Sequence, residues 1–277
     1  MTNTLVLGKN GFIAKSLNKY LEINKIKNFN FLSKKQFNLL IPDNVKKINN
    51  YLTKDTKIIF ISAIAPTKNI NDMVSNIHMI TNFFNLIKID KISHFSYISS
   101  DAVYSDTKKI ITETSDVSPL NYHGLMHLIR EKIIQNNIAK NKLCILRPTL
   151  IYGKDDTHYG YGPNLFRYLL LNNKKLKLFG NGTEKRDHIH ISDVVDCVYK
   201  VSDRSHHGIY NLTSGELISF RKIAEIVKYK FNNNDKISFT KRNGVMPHLG
   251  YRNLSNKKIS KKLNKKFMNF YKGVKYL

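Results

Sequence analysis

Two histidines and a glutamate recur at intervals of four residues in YHGLMHLIRE, residues 122–131. His123, His127 and Glu131 share one face if this segment is a helix. An imidazole with an ordinary pKa of about 6.5 donates or accepts a proton at neutral pH, and histidines at this spacing can also share a metal ion. The pattern therefore predicts either proton transfer or metal binding, and the surrounding elements must decide between them.

Short apolar runs alternate with helical patterns over the first 150 residues. The predicted strands lie at 4–8, 28–33, 56–63, 94–100 and 142–148, and the predicted helices at 12–21, 71–87 and 124–139. This alternation is typical of an α/β fold with a Rossmann-type, doubly wound parallel sheet. After Pro148, loops rich in Gly, Asp and Asn indicate a smaller C-terminal lobe. We predict a Rossmann domain over 1–150, to which 188–215 returns, and a lobe over 151–277.

The first strand runs into a glycine-rich turn, LVLGKNGFIAKSL. Gly8 and Gly11 allow the backbone to approach a pyrophosphate, whose charge the following helix N-terminus favours. Ala14 occupies the third position of the glycine pattern and is small enough for close packing of helix on strand. A turn of this kind after the first strand of an alternating pattern predicts dinucleotide binding.

The end of the second strand bears on the choice of cofactor. An NAD site usually has an acidic residue there for the ribose 2′-hydroxyl, whereas FLSKKQFNL has Ser33, Lys34 and Lys35. Lysines and a hydroxyl suit a 2′-phosphate, so the sequence favours NADP over NAD.

The formal net charge of +26 is the most unusual feature of the composition. The lysines are scattered, and no zinc-finger spacing, RNA-binding signature or recognition helix accompanies them, so a solvated basic surface is expected and nucleic-acid binding is not.

Cys144 and Cys197 lie in apolar stretches and are expected to be reduced. No signal peptide or apolar run of membrane-spanning length is present, which predicts a cytoplasmic protein without a membrane partner.

Five motifs follow one another in the order found in extended short-chain dehydrogenases/reductases. They are GKNGFIA, ISSDAVYS (98–105), LRPTLIYG (146–153), LFGNGTEKRDHIHISDVVD (178–196) and GIYNLTSGELISFRKIAEIV (208–227). The sequence thus resembles the branch of nucleotide-sugar epimerases, dehydratases and reductases. The resemblance implies a nicotinamide cofactor, a nucleoside-diphosphate-sugar substrate bound by the C-terminal lobe, and a homodimer formed through the helices at 71–87 and 124–139.

The central motif of the family that the sequence resembles is Tyr-x-x-x-Lys. In this chain His-x-x-x-His stands at the corresponding positions. Counting from Pro119 and back from Glu131 gives His123 in the tyrosine position and His127 in the lysine position. We expect His123 to act as the general acid/base and His127 to contact the cofactor ribose. Three alternatives remain: Tyr122 restores the usual chemistry, the pair is structural, or His123, His127 and Glu131 bind a metal.

The resemblance implies further site residues. The expected catalytic set is Ser100, Asp101, Tyr122, His123 and His127, with no metal. The expected cofactor-binding set is Gly8, Asn10, Gly11, Phe12, Ile13, Ser33, Lys34, Asn38, Leu39, Ala63, Ala65, His127 and Pro148. The expected substrate-binding set is Asn164, Phe179, Arg186 and Arg242. His188 and His190 alternate along a predicted strand, and only one of them is expected to face the substrate.

The residues after Ser100 narrow the reaction. Sugar-nucleotide dehydratases carry an Asp-Glu pair there, whereas this chain has Asp101 followed by Ala102, so dehydration is disfavoured. We expect NAD(P)-dependent epimerisation or keto-sugar reduction, in the synthesis of surface polysaccharide precursors. The alternative is a non-catalytic nucleotide-sugar-binding homologue, and a nucleic-acid-binding protein is a distant third.

Overall fold

A computed structural model describes residues 3–156, 158–244 and 246–277. The strands are β1 (Thr4–Leu7), β2 (Phe29–Leu32), β3 (Thr56–Phe60), β4 (Ile92–Ile98), β5 (Leu143–Pro148), β6 (Leu150–Tyr152), β7 (Lys177–Phe179), β8 (Lys185–His190), β9 (Gly208–Leu212), β10 (Leu217–Ser219), β11 (Ser238–Thr240) and β12 (Tyr251–Arg252). The α-helices are α1 (Phe12–Ile23), α2 (Pro42–Lys46), α3 (Ile70–Leu86), α4 (Tyr122–Asn137), α5 (Pro163–Leu171), α6 (Ile191–Asp203), α7 (Phe220–Lys230), α8 (Lys257–Leu263) and α9 (Phe270–Gly273).

These elements form two compact units. The first contains the chain up to Ser105, Ser115–Pro148 and Val194–Tyr210, and the second contains Asp106–Thr114, Thr149–Asp193 and Asn211–Leu277. The boundaries read from sequence differ from these in two places. The segment that returns to the first unit is shorter than 188–215, and residues 106–114 belong to the second unit, where Ile111 pairs with Leu254.

The first unit is built on a sheet of strand order β2-β1-β3-β4-β5-β9. Neighbouring strands from β2 through β5 are parallel. The strand order reverses at β1, so the carboxyl ends of β1 and β3 flank the crevice where open α/β sheets bind their ligands. The Rossmann-type parallel sheet predicted from sequence is confirmed.

Burial follows the sequence pattern in this sheet and its helices. Leu5, Val6, Ile58 and Ile59 are all 0% exposed, as expected for parallel strands with both faces covered.

Helix α4 begins after Asn121, whose side chain accepts a hydrogen bond from the Gly124 backbone N–H at 2.9 Å and caps the first turn. The cap fixes where the helix starts and therefore where its histidines lie.

The second unit has β8 at the centre of a small sheet. Strands β6 and β12 pair with β8 in parallel, and β10 pairs with it in antiparallel. Strands β7 and β11 form a separate parallel pair. The buried Asp187 of β8 accepts hydrogen bonds from Thr149, Ser214, Gly215 and Glu216, which ties the loop after β9 to the sheet.

Within the ranges described above, no helix combines the length and apolar character needed to cross a lipid bilayer.

Candidate active site

A cleft of about 210 Å³ lies at the carboxyl ends of β1 and β3. Its lining residues are Leu7, Gly8, Asn10, Gly11, Leu32, Lys34, Phe37, Asn38, Leu39, Ile61, Ser62, Ala63, Ile64 and Met79. Of the predicted cofactor residues, the cleft therefore brings together Gly8, Asn10, Gly11, Lys34, Asn38, Leu39 and Ala63. Phe12, Ile13, Ser33, Ala65, His127 and Pro148 are not in its lining, and their assignment stays a prediction.

The backbone of this cleft suits a pyrophosphate. Gly8 has φ +114°, and a Cβ there would lie 3.0 Å from the Ser62 backbone nitrogen, so glycine is required by both conformation and space. Helix α1 starts at Phe12, and no side chain caps it at Gly11. The free N–H groups of its first turn are therefore available to an anion. A dinucleotide fits the donors that the chain presents here.

The catalytic candidates of the first unit lie on α4 and on the loop after β4. Ser100 is buried, and its hydroxyl oxygen accepts the Ala102 N–H at 3.1 Å, which caps the short 3₁₀ turn Asp101–Val103. Tyr122 is 44% exposed. His123 and His127 lie side by side, with ring centroids 4.7 Å apart and ring planes nearly perpendicular.

Backbone packing fixes the orientation of the His123 ring. Its Nδ1 accepts the Thr67 backbone N–H at 3.4 Å. Burial lowers the pKa of His123, and the Asp101 carboxylate partly opposes that effect. The spacing of residues 122–131 gives no indication of this lowered pKa, because the burial of the site cannot be predicted from local sequence. A neutral ring that accepts at Nδ1 carries its proton on Nε2, and this N–H can donate to a ketone oxygen.

His127 is 4% exposed and contacts a residue that sequence analysis missed. Its Nδ1 lies 2.7 Å from the hydroxyl of Tyr97, a buried residue of β4. Burial lowers the pKa of His127 well below its usual value, and the charges of His123 and Arg130 act in the same direction. His127 is thus uncharged at neutral pH. Alternation along β4 was the available signal for Tyr97, but it does not say which helix residue the hydroxyl meets.

Glu131 is committed to a buried ion pair. Its carboxylate accepts bidentate hydrogen bonds from Arg147 at 2.9 and 2.6 Å and a further one from the Ser99 hydroxyl at 2.5 Å. Both oxygens are therefore occupied, and the alternative in which Glu131 joins His123 and His127 as a metal ligand gains no support. Among residues 3–156, 158–244 and 246–277, no group of three or more His, Cys, Asp and Glu side chains is arranged to hold a metal.

Three of the predicted substrate residues meet in the second unit around Glu184, which sequence analysis missed. The buried Glu184 carboxylate accepts hydrogen bonds from Arg186 at 3.0 Å and from Arg242 at 2.7 Å. The Arg242 guanidinium lies 5.3 Å from the centroid of the Phe179 ring, which is 43% exposed. Two guanidinium groups on one carboxylate leave a net positive charge, which suits a phosphate-bearing ligand.

Asn164 has its side-chain amide engaged within the second unit. Its oxygen accepts the Gly153 N–H at 3.1 Å, and its nitrogen donates to the Ile151 carbonyl at 3.3 Å and to the Asp156 carboxylate at 2.5 Å. These bonds order the loop after β6. Contact between Asn164 and a substrate stays a prediction.

Comparison with known proteins identifies the family to which the sequence is similar. Residues 4–213 match the model of the family described as "NAD dependent epimerase/dehydratase family". The dTDP-4-dehydro-6-deoxyglucose reductase of Escherichia coli is 28% identical over 67% of this chain and 65% of its own length, so the match spans slightly less than two thirds of that relative. The ADP-L-glycero-D-manno-heptose-6-epimerase of Brachyspira hyodysenteriae is 28% identical over 81% of this chain and 74% of its own length.

A solved structure agrees in fold. The UDP-glucose 4-epimerase of Thermotoga maritima, determined with UDP-glucose, superposes with a TM-score of 0.82 at 18% identity, over 100% of this chain and 97% of the other. At that identity the likeness concerns the fold alone. Because the family model covers well over half of the sequence, the chain belongs to the NAD dependent epimerase/dehydratase family.

Proposed function

We propose that this chain is an NAD(P)-dependent oxidoreductase that reduces a keto group on a nucleoside-diphosphate sugar, with His123 in place of a catalytic tyrosine. One observation carries the proposal: the Thr67 N–H donates to His123 Nδ1, so the uncharged ring presents an Nε2–H donor on the helix that follows the cofactor-binding strands. The sequence relationship to a dTDP-keto-sugar reductase supports the same reaction type.

The residues divide the work as follows. A bound nicotinamide supplies the hydride. His123 donates a hydrogen bond from Nε2–H to the ketone oxygen and stabilises the negative charge that develops there as the hydride arrives, and the resulting alkoxide takes its proton from solvent. The Ser100 hydroxyl donates a second hydrogen bond to that oxygen. Arg186 and Arg242 hold the diphosphate, and Phe179 packs against the base.

Epimerisation is the second candidate, and one observation favours it. The heptose epimerase is covered over 74% of its length, more than the 65% of the reductase. Epimerisation through a transient ketone needs His123 Nε2 to accept the hydroxyl proton in the oxidation half, so it requires the other tautomer, with the proton on Nδ1, and the loss of the Thr67 contact.

The test is turnover by purified protein. Nucleoside-diphosphate keto sugars are screened for oxidation of NADPH and NADH, and nucleoside-diphosphate sugars for exchange of labelled hydride. We expect His123→Ala to lower kcat by about 10²- to 10⁴-fold with nucleotide binding intact. His207→Ala removes an exposed imidazole and serves as the matched control.

The opposite result has a specific meaning. If nucleotide binds but neither the wild type nor His123→Tyr/His127→Lys turns over any of these sugars, the chain is a non-catalytic binding homologue. Turnover that survives His123→Ala but is lost in Tyr122→Phe would move the proton-transfer role to Tyr122.

We propose NADP as the preferred cofactor. Lys34 lines the cleft, and the lining residues include no aspartate or glutamate, so nothing in the lining repels a 2′-phosphate. Lys34→Glu is expected to weaken NADPH binding by about tenfold or more and to leave NADH binding nearly unchanged. Lys35→Glu is the matched control, since Lys35 adjoins Lys34 but does not line the cleft.

We also propose a homodimer that buries apolar side chains of α3 and α4. Ile70 and Val74 of α3 are 54% and 39% exposed, and Leu125 of α4 is 37% exposed. Val74→Lys is expected to shift the mass measured by light scattering from dimer to monomer. An unchanged dimer mass would place the interface elsewhere.

A further inference from the structure

A buried arginine stands three residues after His127. Arg130 is 0% exposed. Its guanidinium donates to the Ser62 carbonyl at 2.8 Å and to the Asn76 side-chain oxygen at 3.4 Å, and it lies 4.9 Å from the centroid of the Phe60 ring. Over residues 3–156, 158–244 and 246–277, no carboxylate forms an ion pair with it. Burying a charge with neutral partners alone is costly, so this position calls for a functional explanation.

The neighbouring buried arginine shows what ordinary compensation looks like. Arg147 is 3% exposed and forms a bidentate pair with Glu131. A buried guanidinium in this unit can therefore be neutralised, here by Glu131, a carboxylate of α4 itself. At Arg130 the positive charge is left in place.

Tyr97 connects that charge to His127. The Arg130 guanidinium lies 5.4 Å from the centroid of the Tyr97 ring and interacts electrostatically with its hydroxyl. Burial raises the pKa of Tyr97, so the phenol keeps its proton at neutral pH. A nearby cation repels the hydroxyl proton, and the hydroxyl therefore points its hydrogen away from Arg130 and toward His127 Nδ1, 2.7 Å away.

The direction of that hydrogen bond decides the state of the His127 ring. If Tyr97 donates to Nδ1, the uncharged ring has its remaining proton on Nε2. Nε2 has no hydrogen-bond partner among the residues that the structure describes, so its N–H is available to a ligand. We propose that Arg130 and Tyr97 hold His127 as an uncharged Nε2–H donor to the cofactor ribose, and that the buried Arg130 supplies the positive charge of the site.

The proposal rests on the proposed function in so far as the ligand is a nicotinamide nucleotide. It explains why residue 127, which corresponds to the lysine of the family's Tyr-x-x-x-Lys motif, is a histidine in this chain. A lysine at 127 would place a second cation in a buried space that already contains the guanidinium of Arg130. Like charges in such a space repel strongly, whereas a neutral donor is accommodated. Arg130 and Tyr97 are positioning residues, since they act through His127.

The first experiment reads the tautomer directly. Protein labelled with ¹⁵N at histidine is recorded in a long-range ¹H–¹⁵N correlation spectrum, and the His127 signal is identified by its loss in His127→Gln. We expect the Nε2-protonated pattern in the wild type and a mixture of tautomers in Tyr97→Phe. Tyr152→Phe is the matched control, because Tyr152 is also buried and its hydroxyl has no partner within the described residues.

The role of the Arg130 charge is tested by two variants, one that keeps the charge and one that removes it. Arg130→Lys keeps a cation and is expected to keep the wild-type tautomer, whereas Arg130→Met is expected to lose it. If Arg130→Met fails to fold, Tyr97→Phe decides the question by itself. An Nδ1-protonated ring in the wild type, or an unchanged spectrum in Tyr97→Phe, overturns the proposal.

Ligand binding separates this inference from the proposed function. Tyr97→Phe is expected to weaken nicotinamide nucleotide binding by about fivefold, the usual effect of one misdirected neutral hydrogen bond. The double variant His127→Lys/Arg130→Met is expected to bind nucleotide more tightly than His127→Lys alone. A wild type with the Nε2-protonated ring but no affinity for either nucleotide overturns the ribose contact and the proposed function together, and leaves the fixed tautomer established.

Discussion

Each unit contains a pair of histidines, and the two pairs differ in their partners. On α4, His123 accepts from the Thr67 N–H and His127 contacts the Tyr97 hydroxyl, so one nitrogen of each ring is assigned. On β8, neither ring nitrogen of His188 has a partner in the described part of the chain, and His190 contacts Ser192 through Nδ1 alone.

Burial affects both pairs alike. It lowers the pKa of His123 and His127 on α4 and of His190 on β8, and it lowers the pKa of His188 to about 3. A lowered pKa therefore does not separate a functional histidine from a packed one. What separates His188 from the α4 pair is that no contact in the described residues assigns either of its ring nitrogens, since a fixed tautomer directs a donor and an unassigned ring only fills space.

The largest expected effect is common to both pairs and appears as pH-dependent stability. Below a pH of about 6.5 the unfolded chain binds protons at histidines that stay neutral in the folded protein. The free energy of unfolding should therefore fall as pH falls, by up to about 1.4 kcal/mol per pH unit for each such histidine. For His94, whose pKa burial lowers to about 4, the loss should run from pH 6.5 down to about pH 4.

Urea unfolding between pH 5 and pH 8 measures this slope. His94→Gln and His188→Leu should each flatten it, while the exposed His207→Gln should not. If His188→Leu left the slope unchanged below pH 6.5, the ring would be protonated in the folded protein. His188 would then not be an uncharged packed ring, and the contrast between the two pairs would be wrong.

The sequence predicted the register of the α4 pair but not its electrostatics. Spacing from Pro119 and Glu131 was sufficient to place His123 and His127 on one helical face, because that periodicity is local. Their depth depends on how α4 packs on the sheet, which no single segment contains. The lowered pKa of His123 could not be predicted from sequence for that reason.

The residues that sequence analysis missed share a physical cause. Tyr97 belongs to a strand thirty residues before His127, and an apolar strand pattern does not tell which helix its hydroxyl meets. Arg130 reads as a solvated residue because arginine is rarely fully buried. Its position midway between the buried Met126 and Ile134, at helical spacing, was the available signal.

A smaller but still large effect is expected where α4 is packed most tightly. A Cβ on Gly124 would lie 2.1 Å from the Ala102 carbonyl oxygen and 2.6 Å from the Pro119 Cβ. Gly124→Ala must therefore displace the start of α4 from the 3₁₀ turn after Ser100 and disrupt the α4 pair without altering either histidine. We expect a loss of about 3 kcal/mol or more in the free energy of unfolding.

Gly160→Ala is the control for that change. Gly160 is exposed, and a Cβ there would meet nothing closer than the His158 carbonyl oxygen at 3.7 Å. It should change the free energy of unfolding by about 0.5 kcal/mol or less. Equal losses in the two variants would mean that α4 can shift without strain, and that the position of His123 is not fixed by this contact.

The smallest effect has opposite signs in the two pairs and is the sharpest test of the contrast. His127→Leu leaves the Tyr97 hydroxyl buried without its partner, which should cost about 1–3 kcal/mol. His188→Leu removes a buried imidazole whose nitrogens have no partners among the described residues, so it should be neutral or stabilising at pH 7.

Adding Tyr97→Phe to His127→Leu removes both polar partners and should recover most of the loss, because replacing both ends of a hydrogen bond by apolar groups is nearly neutral. Guanidinium unfolding of the two single variants, the double variant and Tyr97→Phe gives the coupling energy between Tyr97 and His127. A coupling near zero, or a His188→Leu loss as large as that of His127→Leu, would show that the imidazoles of both pairs are held by packing alone and that the fixed tautomer on α4 has no energetic basis.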